Sequence, residues 1–261
     1  MVGAAAKLPP MRWSIKGWSP VAALALAFSG SAADVAGPAS ASAPAEFNFT
    51  RVMYADNGYR PFGRGWWQQD WPEAEHYFLQ NLVRLTRINS GEAIQMPLTD
   101  ERLFEYPWLY ATQTGDWDLG DAELDRLREY LLRGGFLMCD DFWGDVEWEN
   151  FAATMARLFP DREIVELHGE DAVLHVVFSI DESVQIPGLR HLAGRGRVQS
   201  NLPPPQWFGI YDDTGRLMVG INYNQDVGDS WEEANTPDYP EPMTAQGYRF
   251  GINYIVYAMT H

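Results

Sequence analysis

Two consecutive aspartates, Asp140 and Asp141, are the residues whose position in this sequence most strongly suggests chemistry. They follow a four-residue apolar run, 136–139, which is too short for a helix and is typical of a strand covered on both faces. In open α/β sheets, ligands bind outside the carboxyl ends of the strands, so we predict a site here. The alternative is that one aspartate caps the following helix while the other faces water.

A second set of acidic and polar side chains lies in a loop near the end of the chain. With the two aspartates, its carboxylates could either bind a hard cation or form an acid/base pair for glycoside hydrolysis. Their spacing matches no calcium-binding loop, so we predict no metal site and no cofactor, and we assign no catalytic residue. The candidate ligand-binding residues are Asp140, Asp141, Trp143, Asn222, Asn224, Asp226, Asp229, Trp231 and Glu232.

Tryptophans accompany these acids. Such a mixture suits sugar binding, because rings stack on sugar faces while carboxylates accept hydroxyl hydrogen bonds. The alternative is that the rings only cover the end of the sheet, since aromatic side chains dominate cores by area. The residues in question are Trp66, Trp67, Trp71, Trp143 and Trp231.

The single cysteine, Cys139, precludes an internal disulfide. Two carboxylates follow it directly, and they would raise the pKa of its thiol, so a buried, inert cysteine is favoured over a nucleophile. The dinucleotide glycine fingerprint, the Walker loop, the Gly-X-Ser-X-Gly elbow and the His-Glu-X-X-His zinc motif are all missing from the sequence.

The elements that position the aspartates follow from local patterns. A helical face of leucines at 124, 127 and 131 precedes the strand, with Asp118 and Asp121 as its capping residues and Gly134 at its end. Another helix is expected over 74–85, opened by a capping box of Asp70 and Glu73. Two further helices are expected over 148–159 and 248–259.

Strand-like runs alternate with these helices up to Pro160. This alternation predicts an α/β fold, three-layer, with a mostly parallel sheet, 136–139 as a central strand and a more β-rich second half. Residues 212–215 supply a hairpin turn between the last two strands. The expected strands are 47–53, 94–97, 108–111, 136–139, 164–167, 173–180, 207–211 and 217–223.

The chain of 261 residues has a formal net charge of -17, which argues against a nucleic-acid partner. At its start, three basic residues (Lys7, Arg12 and Lys16) precede or adjoin an apolar run at 21–28 and then small residues. This order is typical of an export signal cleaved after Ala33 or Ala45, and the run is too short to span a membrane in the mature protein. We therefore expect an exported, periplasmic protein, with a signal and Pro/Ala/Ser linker at 1–45 and a single α/β domain at 46–261.

Four stretches resemble an uncharacterised bacterial family, domain of unknown function 4159. They are Phe-Glu-Tyr-Pro at 104–107, LREYLLRGGFLMCDDFWG at 127–144, Leu-Phe-Pro at 158–160 and GRLMVGINYNQDVGDSWE at 215–232. The resemblance implies a fold like that of class I glutamine amidotransferases. Glu170, Asp171 and Ala172 stand where the family usually has Asp-His-Pro, so the histidine of that segment is not carried over, and His168 and His175 are only nearby.

Two functional hypotheses follow. The first is a non-catalytic, amidotransferase-like module that binds a small polar ligand or a protein partner at the Asp140 and Asp141 end of the sheet. The alternative is a carboxylate-dependent hydrolase acting on glycan or cell-envelope material. Two carboxyl groups facing each other across a pocket at about 5 to 10 Å would favour the hydrolase. Side chains occupied by caps and backbone hydrogen bonds would favour the module.

Overall fold

The structure, a computed structural model, describes residues 10–11, 44–56, 65–181, 184–193 and 205–261. Its strands are β1 (Thr50–Met53), β2 (Ile94–Pro97), β3 (Trp108–Thr112), β4 (Phe136–Phe142), β5 (Val165–Glu166), β6 (Gln206–Tyr211) and β7 (Leu217–Tyr223). They form one sheet in the order β2-β1-β3-β4-β7-β6-β5. The first five strands in this order are parallel; β6 is antiparallel to β7, and β5 is antiparallel to β6. The predicted α/β class and mostly parallel sheet are confirmed.

Helices cover both faces of the sheet. They are α1 (Glu73–Thr86), α2 (Asp121–Leu132), α3 (Gly144–Leu158), α4 (Leu189–Leu192), α5 (Val227–Glu232) and α6 (Glu241–Thr260). Alternate side chains of β3 belong to different cores: Trp108 and Tyr110 pack with α1, α5 and α6, whereas Leu109 and Ala111 pack with α2 and α3. Since neighbouring strand residues point to opposite faces, the molecule has three layers.

Strand β4 is the fourth of the seven strands, and each of its seven residues is buried. The predicted central strand is therefore confirmed, but it continues three residues beyond Cys139. The pairing with β7 is regular to Cys139 and then shifts before Phe142, and Asp141 has a φ of 51°. Asp140 and Asp141 thus lie at the carboxyl end of the strand, where its pairing with β7 becomes irregular.

Both predicted helix caps are wrong in detail. Helix α1 begins at Glu73 after Pro72, and Asp70 has a φ of 62°, so it does not occupy the capping position. The Asp70 side chain lies in a pocket described below. Helix α2 begins after Gly120, whose N–H donates to the Glu123 carboxylate at 2.9 Å, so Asp118 and Asp121 do not cap it.

The strand predicted over 173–180 is also wrong. Only a single 3₁₀ turn forms there, at Ala172–Leu174, and no ladder follows. The backbone N–H groups of Val177 and Phe178 donate to Asn253 Oδ1 on α6, at 3.2 and 3.0 Å, and Asn253 Nδ2 donates back to the Phe178 carbonyl. A side-chain amide thereby satisfies backbone groups that would otherwise need a neighbouring strand.

Most of the predicted leader lies outside the described residues. Among the helices in the described ranges, none combines the length and the apolar character needed to cross a membrane.

Candidate functional site

A pocket of about 320 Å³ opens beside the carboxyl ends of β3 and β4, where the sequence predicted a site. Five of the nine candidate residues line it: Asp141, Trp143, Asp226, Asp229 and Glu232. The other four, Asp140, Asn222, Asn224 and Trp231, lie outside its lining. Of the five tryptophans, Trp66 and Trp143 line the pocket, while Trp67, Trp71 and Trp231 do not.

Asp140 is fully buried beneath the pocket and is surrounded by hydrogen-bond donors. Its Oδ2 accepts from the Tyr110 hydroxyl and from the N–H of Gly228, both at 2.9 Å. Its Oδ1 accepts from the N–H of Val227 at 3.2 Å and from Asn222 Nδ2 at 3.3 Å. Asp140 therefore binds the first turn of α5 and fixes this helix against the sheet.

The alternative prediction, that an aspartate caps the helix after β4, is therefore wrong. Asp140 binds the start of α5 and not the start of α3. The start of α3 is held by other side chains: Asn224 Oδ1 accepts from the N–H of Gly144 at 3.0 Å, and Glu147 accepts from the N–H of Trp143 at 2.7 Å. Each of these contacts uses a polar group to satisfy a helix N-terminus.

Two other candidate residues, Asn222 and Trp231, make contacts inside the fold and do not line the pocket. Asn222 donates to Asp140 and accepts from the Tyr254 hydroxyl at 3.1 Å, so it connects α6 to the buried aspartate. Trp231 is fully buried, with its ring centroid 4.4 Å from that of Phe78 on α1.

Asp141 lies on the wall of the pocket and is 4% exposed. Its Oδ1 accepts from Trp143 Nε1 at 2.8 Å, and its Oδ2 accepts from the side-chain amide of Gln113. Burial raises the pKa of the Asp141 carboxyl well above its ordinary value, and the nearby charge of Asp70 adds to this effect.

The pocket acids form two groups that share Asp70. The inner group consists of Asp70, Asp141 and Asp226, and the outer group consists of Asp70, Asp229 and Glu232. Within each group, one carboxylate oxygen from every member lies within 4.8 Å of the others. Carboxylates this close repel one another when all are ionised, so the arrangement attracts cations or retains protons.

The pKa shifts agree with this crowding. Burial is the largest cause for Asp226, whose carboxyl pKa is raised well above its ordinary value, with the charge of Asp141 as the next cause. Burial and then Asp70 raise the pKa of Asp229 to about 7 and that of Glu232 to about 8. Burial also raises the pKa of Asp70, although the charge of Arg51 partly opposes this.

Arg51 is a buried cation that holds the loop before α1. It donates through Nε to Glu75 and through Nη1 to the carbonyls of Trp67, at 3.0 Å, and Gln69. Because Asp70 directly follows this loop, Arg51 fixes the position from which Asp70 enters the pocket.

Gly188 leaves space for two of the pocket carboxylates to lie against the backbone. A Cβ atom at Gly188 would lie 2.5 Å from Asp226 Oδ2 and 2.9 Å from Asp229 Oδ2. Only a residue without a side chain leaves this space to the two oxygens.

Asp70 and His191 are among the pocket residues that sequence reasoning missed. Asp70 was interpreted as a cap, and the left-handed conformation that turns it into the pocket has no local signal other than the aspartate itself. His191 was not considered; its ring stacks on Trp143 with centroids 4.2 Å apart, and burial lowers its pKa. His168 and His175 do not line the pocket.

Cys139 faces the core formed with α2 and α3 and is fully buried, as predicted. Burial, followed by the charge of Asp140, raises the pKa of its thiol well above the ordinary value. The thiolate needed for nucleophilic attack is therefore strongly disfavoured.

The sequence was also compared with known proteins. The family model described as "Domain of unknown function (DUF4159)" matches residues 48–259. No curated protein sequence matches the chain. The match spans both strand-rich halves of the fold and every pocket residue discussed above, and the chain therefore belongs to the DUF4159 family.

Proposed function

We propose that this protein is an exported, non-catalytic binding module whose acidic pocket binds a small polar ligand. The observation that carries the proposal is the convergence of seven carboxylates and two tryptophans on one pocket of about 320 Å³ at the carboxyl edge of the parallel strands. Pockets that combine polar groups with aromatic walls at this edge are the usual ligand sites of open α/β sheets.

The charge of the pocket indicates the chemistry of the ligand. The lining contains one arginine, Arg190, and seven acids: Asp70, Asp141, Glu147, Asp226, Asp229, Glu232 and Glu233. A ligand that carries positive charge or several hydroxyl donors would compensate buried carboxylates, whereas an anion would be repelled.

We also propose that the fold is amidotransferase-like, with the catalytic position unused. The unused catalytic position is supported by Cys139, which lies within β4 and points into the core rather than into the pocket. In that fold a nucleophile must stand exposed at a strand-to-helix turn with a base beside it.

A carboxylate-dependent hydrolase acting on glycan or cell-envelope material is the second candidate. It is favoured by the pKa of Glu232, about 8, because a carboxyl that is protonated at neutral pH can act as a general acid. The inner and outer groups argue against it. In each group one oxygen of every member lies within 4.8 Å of the others, whereas the carboxyl groups of inverting pairs are roughly 6.5–9.5 Å apart.

The binding proposal is tested by thermal shift with a panel of amines, amino sugars, neutral sugars and carboxylic acids, in chelator and again in excess calcium chloride. We expect amines or polyhydroxylated compounds, and not carboxylic acids, to raise the melting temperature. Asp141→Asn should abolish the response and still fold, because asparagine tolerates the left-handed φ and resembles a protonated carboxyl. The exposed Asp161→Asn is the matched control.

An equal response of the wild type and Asp141→Asn would contradict the proposal. Release of a product from an added glycan, lost in Glu232→Gln, would instead favour the hydrolase.

Export is tested separately by intact-mass measurement of the protein recovered from cells. We expect the mature chain to begin after Ala33 or after Ala45, because small residues at these points follow a charged and then apolar segment. Recovery of the full-length chain from the cytoplasm alone would contradict this expectation.

A further inference from the structure

Residues 190–193, which are the last three residues of α4 and the residue after it, form a flap at the edge of the acidic pocket. We infer that this flap opens to admit a ligand and that stacking of His191 on Trp143 holds it closed. The inference rests on the proposed binding function, because it concerns how a ligand reaches that pocket.

The flap lies between the pocket and the solvent. His191 lines the pocket and is partly buried, whereas the residues on either side of it are exposed. Its ring stacks on Trp143, whose Nε1 donates to the pocket carboxylate of Asp141 at 2.8 Å. Movement of the ring therefore uncovers the side of the pocket at which Asp141, only 4% exposed, lies.

The chain before the flap is firmly attached. Ile186 is fully buried; its N–H donates to Gln225 Oε1, and its carbonyl accepts from the N–H of Asp226, both at 2.7 Å. The N–H of Leu189 donates to Asp229 Oδ2, also at 2.7 Å. These bonds tie the segment to the chain around the start of α5, so motion of the flap begins after Leu189.

The flap itself has weaker attachments. The rings of His191 and Trp143 stack, but both His191 ring nitrogens are buried without a hydrogen-bond partner among the described residues. Burial lowers the pKa of His191, so the ring is neutral at pH 7 and gains no ion pair from the nearby acids. The backbone adds one turn, in which the N–H groups of His191 and Leu192 donate to the Gly188 carbonyl at 2.9 and 3.1 Å. A single turn is unstable by itself, so the ring stack decides whether the flap stays closed.

This unequal attachment is typical of a lid. Segments that admit ligands come from parts of a fold that open locally at low cost in free energy. Other walls of the pocket differ, because Asp141 belongs to the central strand β4 and Glu232 to α5, which Asp140 fixes against the sheet. The flap is a wall whose movement disturbs neither the sheet nor α5.

The first test is amide hydrogen exchange of the full-length protein at pH 7, measured by mass spectrometry and corrected for the intrinsic rate of each sequence. His191→Ala should speed exchange at residues 191–193 about two- to tenfold, the range expected for loss of one aromatic pair, and leave Ile186 and Leu189 unchanged. His191→Phe should exchange like the wild type, because the ring nitrogens have no partner to lose. Leu192→Ala, exposed on the same helix and outside the pocket lining, is the matched control.

The second test measures whether this opening reaches the pocket. The full-length protein is treated with a water-soluble carbodiimide and glycine ethyl ester, which convert accessible carboxyl groups to amides, and the modified residues are mapped by mass spectrometry. Asp141 should be modified about two- to tenfold faster in His191→Ala than in the wild type or His191→Phe. The exposed Asp161 should be modified equally in all three proteins.

Unchanged exchange in His191→Ala, or an increase of the same size in His191→Phe or Leu192→Ala, would overturn the stacking contact as the latch. Faster exchange without faster modification of Asp141 would overturn the flap as the entrance to the pocket. Neither test uses a ligand, so a compound panel without a response would contradict the proposed function alone. A compound that raises the melting temperature would support binding even where both flap tests fail.

Discussion

Replacing Asp140 with alanine is expected to lower the free energy of unfolding by about 3–5 kcal/mol. The carboxylate is fully buried and accepts hydrogen bonds from Tyr110, Asn222, Val227 and Gly228. Alanine would leave these buried donors without an acceptor, and each unsatisfied donor costs about 1–3 kcal/mol before the structure relaxes. It would also detach the first turn of α5, which carries the pocket acids Asp229 and Glu232.

Urea unfolding followed by circular dichroism measures this loss. Asp140→Asn is expected to lie between the wild type and Asp140→Ala, because its amide keeps one acceptor but places N–H groups opposite the N–H of Gly228. The exposed Asp161→Ala is the control, expected within about 0.5 kcal/mol of the wild type. An Asp140→Ala variant with wild-type stability would show that the aspartate does not hold α5.

The contrast between Asp140 and Asp141 shows what the sequence could not resolve. Both were predicted at the strand end, and both are there. Which of them reaches the pocket depends on the alternation of side chains and on the turn at Asp141, where φ becomes positive. No pattern in the residues around them marks that turn.

Continuous apolar strands were the best-predicted elements. The observed bounds of β2 and β7 equal the predicted ranges, and β3 and β6 each differ by one residue. These strands are bordered by turn residues, and every residue of β3 and β7 is buried, so local composition and tertiary environment agree.

The strand predicted at 173–180 was wrong for the opposite reason. It is apolar, and Val173, Leu174 and Ile180 are buried, but they pack against α6 outside the sheet. Burial explains apolar composition equally well in a strand and in a loop under a helix, so composition alone could not distinguish them. Asp70 and His191 were missed for a similar reason, because they come from segments whose approach to the pocket is decided by packing.

Above about pH 6.5, the protein in chelator is expected to become less stable as the pH rises. Burial and neighbouring carboxylates raise the pKa of Asp229 to about 7 and that of Glu232 to about 8, above the ordinary values of about 3.9 and 4.3 of the unfolded chain. Between these limits the folded state binds more protons than the unfolded state, so the free energy of unfolding decreases with pH. This is the reverse of the behaviour of a carboxylate in a salt bridge.

The other buried pocket acids act on this window in the same direction, because burial raises the pKa values of Asp141 and Asp226 well above their ordinary values. Asp100, whose pKa is lowered to about 2 by Arg102, titrates far below it. His191, whose pKa is lowered by burial, affects stability mainly below about pH 6.5. Allowing for partial exposure of Asp229 and Glu232, we expect a loss of about 1–2 kcal/mol between about pH 6.5 and 8.5.

Urea midpoints at several pH values across this window measure the slope. Glu232→Gln removes the group with the higher pKa, so its stability should depend less on pH, most clearly above about pH 7.5. The exposed Glu163→Gln should keep the slope of the wild type. A wild-type midpoint that stays level or rises across the window would mean that these carboxyls are ionised in the folded protein. Nearby positive charge, rather than bound protons, would then offset the repulsion within the outer group.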